Sequence, residues 1–126
     1  MVKIAVKGNR AALLSAIDLV ANSVGEKCRL YLSDDWYDLK KQITYKAGNE
    51  IYGPYTMEGN DVDIPAIVFA IANVPLEIGI TGYSNDRKII KPTVWCPIGF
   101  IRPGALNPNT VDPEGEHIIY DGGVIV

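Results

Sequence analysis

The chain is poor in the residues that carry out chemistry. It holds one histidine, His117, and two cysteines, Cys28 and Cys96, among 126 residues. No serine or cysteine nucleophile lies near His117 in the sequence, so it reads as a solvated side chain rather than a general base. The cysteines form neither a CxxC pair nor a metal-ligand spacing, and no metal site is expected. With Trp36 they loosely mimic the Cys–Trp–Cys spacing of immunoglobulin sandwiches, yet Val94 stands where the tyrosine before the second cysteine belongs. Without an export signal, two reduced, buried thiols acting as small hydrophobes are expected.

Other templates are missing too. There is no glycine-rich phosphate loop, because Gly122-Gly123 is too short a signal. Asp34, Asp35 and Asp38 share one turn, whereas a glycosidase needs two carboxylates on opposite sides of a bond. Asp61-Val62-Asp63 and Asp112–Glu116 lack the calcium-loop pattern. We therefore expect no enzyme, no catalytic residue and no cofactor. The net charge is −3 with both signs interspersed, so there is no basic footprint for nucleic acid. The apolar stretch Ile64 to Pro75 is too short and broken to span a bilayer, which leaves no membrane role. Met1–Gly8 has neither an apolar h-region nor a cleavage site, so synthesis in the cytoplasm is expected. Heptads are absent.

What is present is β-strand patterning. The hydrophobic content of 48% supports a folded core. Val2, Ile4 and Val6 alternate with Lys3, Ala5 and Lys7 as a half-buried first strand. Ala11 to Val20 is ambiguous; its Ala and Leu content favours a short helix or turn before a strand at Ile17–Val20. Cys28, Leu30 and Leu32 face one way and Arg29 and Tyr31 the other. Ser33 offers an N-cap hydroxyl to a turn opened by Asp34 and Asp35. Alternation resumes through Ile43 and Tyr45, and Ala47-Gly48-Asn49 supplies a turn. Ile51 to Tyr55 is the return strand, and Pro54, which cannot donate to a ladder, implies an edge or a strand end. Pro65 opens a short helix. Val74 to Tyr83 is the best strand, and Lys88 to Trp95 returns from it after a turn at Tyr83–Arg87.

The expected fold is mainly all-β: an antiparallel β-sandwich with one short helix and a C-terminal extended tail or hairpin. Residues 1–104 form the sandwich, 105–116 a Pro/Gly-rich linker, and 117–126 an apolar hairpin or tail around Asp121-Gly122. Trp36, Trp95, Leu30, Ile78 and Ile80 are the expected core. Tyr31, Tyr37, Tyr52 and Tyr55 are candidates for an interface, where amphipathic rings are favoured. In the tail, Ile119, Tyr120, Val124 and Val126 suit partner binding by strand addition. They equally suit covering an edge of the chain's own sheet.

Six segments, in order, carry a resemblance. They are Trp36 with Leu39-Lys40; Tyr45 to Gly48; Ile64-Pro65; Leu76 to Gly82; Pro92-Thr93-Val94-Trp95; and Gly99 to Gly104. Over about residues 1–104 the chain resembles the N-terminal domain of phage baseplate upper proteins and related prophage minor structural proteins. The resemblance implies a non-enzymatic virion structural protein, the docking or adaptor module of a baseplate or fibre. Its partners would be other virion proteins and further copies of itself, as a trimer or hexamer. The base of a head fibre or a capsid decoration would use the same module. Outside that family, a carbohydrate-binding module using Tyr and Trp faces, or a small phage-encoded inhibitor of a host protein, stays open.

Overall fold

The computed structural model describes residues 1–15, 18–104, 120–121 and 123–124. Strands β1 (Val2–Lys7), β2 (Arg10–Ser15), β3 (Lys27–Leu32) and β6 (Asp61–Asp63) make one sheet in the order β2-β1-β3-β6. Strands β4 (Lys40–Ala47), β5 (Glu50–Thr56), β7 (Val74–Tyr83) and β8 (Ile89–Ile101) make the other, in the order β5-β4-β7-β8. The fold is an all-β sandwich. No helix among the described residues is long and apolar enough to cross a membrane.

Alternation decides what lies between the sheets. Val2, Ile4 and Val6 from β1 and Cys28 and Leu30 from β3 meet Ile43, Tyr45, Leu76, Ile78 and Ile80 from the second sheet, all buried. The Tyr45 phenol donates to the Asp63 carbonyl at 3.4 Å, and burial raises its pKa. Both thiols are free and buried, and desolvation pushes Cys28 up to about 12. At neutral pH the core holds them protonated, as small apolar groups.

Within this sandwich several details differ from expectation. Arg10–Ser15 is a strand, not a helix or turn. Gly8, at φ 59°, and Asn9 form a two-residue turn that folds β2 back on β1, with Lys7 opposite Arg10. Such a turn fixes the hairpin, and pairing overrides the helical preference of Ala and Leu. Val20 joins no strand; it bridges Arg102 alone. The sandwich is not purely antiparallel, because β1 and β3 run parallel, Val2 to Val6 beside Cys28 to Leu32. The single helix is replaced by two 3-10 turns, Asp34–Trp36 and Ala66–Phe69, the second entered through Pro65. Ser33 does not cap the first turn. Its hydroxyl instead accepts the Gly8 N–H at 3.0 Å and donates to Asp35.

Trp95 is the largest correction. Val94, Cys96 and Ile98 point inward, so the pleat turns Trp95 outward, 38% exposed. Trp36, by contrast, is fully buried, and its indole Nε1 donates to the Gly8 carbonyl at 2.9 Å. Beyond the body, β9 (Tyr120–Asp121) and β10 (Gly123–Val124) pair as a small antiparallel hairpin.

Candidate docking surface

The connections give the sandwich two unlike ends. At one, the β1–β2 turn, the Asp34–Trp36 turn and the β7–β8 turn come together. There Asp35 accepts from Lys91 and from Ser33, and those two hydrogen bonds, in that order, hold its carboxyl below the usual carboxylate range. Lys91 also lies 5.9 Å from the centre of the Trp36 ring. The Asp35–Lys91 pair braces this end, where Tyr37, Ile89 and Ile90 also stand exposed.

The other end gathers the start of β1, the end of β2, the Ala66–Phe69 turn and the end of β8. Backbone hydrogen bonds weld it: Arg102 N–H to Leu19 at 2.8 Å, Ala21 N–H to Arg102 at 2.8 Å, Asn22 N–H to Phe69 at 2.7 Å, Asn73 N–H to Ile101 at 2.6 Å. Around this fixed frame, large apolar side chains stand in solvent. Leu14 is 56% exposed, Val24 75%, Ile67 55%, Ile71 46% and Phe100 61%. Leu14 lies on β2, Val24 before β3, Ile67 and Ile71 in the connection from β6 to β7, and Phe100 on β8, segments that meet at this end. Exposed apolar groups scattered singly mean little, whereas several gathered at one end of a fold make that end the candidate surface.

Local irregularity aims two of them. Lys3 pairs with Ser15 and Ile4 with Leu13, so Leu14 is an extra residue bulged out of β2. Leu76 pairs with Gly99 and Glu77 with Pro97, so β8 is also bulged, at Ile98, just before Phe100. Bulges re-aim side chains and bend a strand. Over its length β8 uses 13 residues against 10 of β7 and contains Pro92 and Pro97. Although β8 is the outermost strand of its sheet, such an edge is a poor template for a further strand. A partner would meet side chains here, not a backbone ladder.

The residues expected at an interface fall elsewhere. Tyr37 is exposed, but it follows the Asp34–Trp36 turn at the end braced by Asp35 and Lys91. Tyr31 is exposed on the outer face of the first sheet, near Arg29, which pairs in two-pronged fashion with Asp61 at 2.7 and 2.8 Å. Tyr52 is half-buried, and Tyr55 leans on Tyr45 with ring centres 6.0 Å apart. Ile119 and Val126 lie outside the described residues, as do His117 and 105–116; Tyr120 and Val124 are partners in the small hairpin. The apolar end was hidden because its members are distant in sequence. The doubled Leu13-Leu14 and Phe100-Ile101 were the available signal, since one of each pair must break the alternation.

Among the described residues no group of three His, Cys, Asp or Glu side chains is placed to hold a metal ion. No family model, no curated protein and no solved structure matches this chain.

Proposed function

We propose that the chain is a non-enzymatic docking or adaptor module of a phage or prophage particle, seated on its partner through the apolar end of the sandwich. The particle assignment rests on the ordered resemblance of Trp36, Ile64-Pro65, Pro92–Trp95 and Gly99–Gly104. The docking role rests on one observation, the exposure of Leu14, Val24, Ile67, Ile71 and Phe100 on a hydrogen-bonded frame. A rigid frame loses little entropy on binding, so apolar burial there goes into affinity. The module works in a closed oligomer, a trimer or hexamer, made in the host cytoplasm and built into the virion at a baseplate or fibre. A head-fibre base or a capsid decoration would rely on the same surface.

Light scattering on the full chain tests this. The expected result is a defined oligomer that the double variant Leu14→Glu/Phe100→Glu reduces to monomer while its circular dichroism is unchanged. Both residues are exposed, so the charges meet water in the monomer and are buried only in a complex. A variant that assembles like the wild type would remove the apolar end from the interface.

A further inference from the structure

The outer face of the second sheet, away from the apolar end, is built differently from the rest of the surface. Where the β7–β8 turn rises above it, a cleft of about 400 Å³ is lined by Lys40, Gln42, Thr56, Tyr83, Ser84 and Arg87 among others; the turn's carboxylate, Asp86, accepts from Ser84 and pairs with Lys88. Lys40 and Arg87 make no ion pair among the described residues. In a chain of net charge −3, two such cations with amide and hydroxyl neighbours form a local site for a negative group.

The same face continues along β7. Thr81 and Thr93 hydrogen-bond through their hydroxyls at 2.6 Å, and beyond them Trp95 lies across Gly79. A Cβ on Gly79 would come within 2.8 and 2.9 Å of Trp95 Cε3 and Cζ3, so the benzo part of the indole lies close over the backbone of β7. The rest of the ring is partly open to solvent, which makes it a candidate aromatic platform. From Gly79 to Tyr83 the strand rises about 13 Å, at about 3.3 Å per residue. Platform and cations are thus too far apart for one small ring.

We infer that this face binds an acidic oligosaccharide. One sugar ring stacks on Trp95, hydroxyls meet Thr93, Gln42 and Thr56, and an acidic substituent sits between Lys40 and Arg87. The aromatic platform calls for a ring with an apolar face, the hydroxyl-lined floor for a polyhydroxylated body, and the cations for a carboxylate or sulfate at one end. A single-stranded nucleic acid fits less well, because it needs a basic track along its whole path and several stacking rings. The site is separate from the docking end, and neither reading depends on the other.

Calorimetric titration of the full chain tests it, with a galacturonic-acid oligomer, a heparin-derived sulfated oligomer, a neutral galactose oligomer and oligo-deoxythymidine as probes. The expected result is binding to at least one acidic sugar, ten-fold or more above the neutral one and above the oligonucleotide. The two acidic probes tell carboxylate from sulfate. Trp95→Ala and, separately, Lys40→Ala/Arg87→Ala each weaken that binding at least ten-fold, and only the latter flattens its salt dependence. Equal binding of the neutral sugar, tighter binding of the oligonucleotide, no binding of either acidic sugar at millimolar concentration, or unchanged affinity in both variants would each overturn the inference.

Discussion

Trp36 and Trp95 each lie across a glycine of β7, on opposite faces of the same sheet. A Cβ on Gly82 would come within 3.1 Å of Trp36 Cζ3 and 2.9 Å of Leu39 Cδ1, on the inner side. A Cβ on Gly79 would meet Trp95 and, at 2.7 Å, Thr93 Cγ2, on the outer side. The local device is the same: a missing side chain lets a large ring approach the backbone. What differs is the surroundings. Trp36 is enclosed by core residues and bonded to Gly8, whereas Trp95 is partly open to solvent. One ring therefore stabilises the fold and the other furnishes its surface.

The sharpest way to break that contrast is to delete each ring. Trp36→Ala leaves a cavity in the closed end of the core and an unpartnered Gly8 carbonyl; a loss of about 3–5 kcal/mol is expected from denaturant unfolding. Filling the glycines comes next. Gly82→Ala forces the enclosed Trp36 and Leu39 apart, at a cost of about 1–3 kcal/mol, and Gly79→Ala falls below it because Trp95 can swing into water. A double-mutant cycle sharpens this, since Trp95→Ala should relieve part of the Gly79→Ala cost, with a coupling of at least about 0.5 kcal/mol. An equal or larger cost at Gly79 would mean that Trp95 is as confined as Trp36. Trp95→Ala alone should cost about 1 kcal/mol or less, and iodide should quench Trp95 fluorescence while sparing Trp36.

The smallest effect concerns the Asp35–Lys91 pair beside Trp36. The Asp35 carboxyl is held low by Lys91 and Ser33, so its contribution is present above its unfolded value and is lost as pH falls through the lower folded value. Asp35→Asn should remove that contribution at neutral pH and flatten the acid limb of the stability curve below about pH 3.8. An acid limb as steep as the wild type's would show that other carboxylates, Asp61 with Arg29 among them, carry it.

Much of the fold was legible because its strands alternate cleanly. Val74–Tyr83 follows from period alone, and of the two places Pro54 allows, edge or strand end, the strand takes the edge. The hairpin at Gly8-Asn9 was equally present as a turn signal, but the Ala-Leu run after it obscured the strand. The size of Trp95 suggests the core, but its parity with the inward Val94, Cys96 and Ile98 sends it outward. The apolar end and the outer cleft lay beyond a linear reading. Leu14 and Phe100, or Lys40 and Arg87, become neighbours only through the sandwich's connections.

The parallel pairing of β1 and β3 has a mechanical side. The strand beginning at Val2 lies inside its sheet, hydrogen-bonded to β2 on one flank and to β3 on the other. A pull on that strand along its own axis loads both ladders in shear, so their bonds must give together rather than one after another. Tension applied at the start of β1 would thus meet the fold in its stiffest direction, because no single ladder can open ahead of the other.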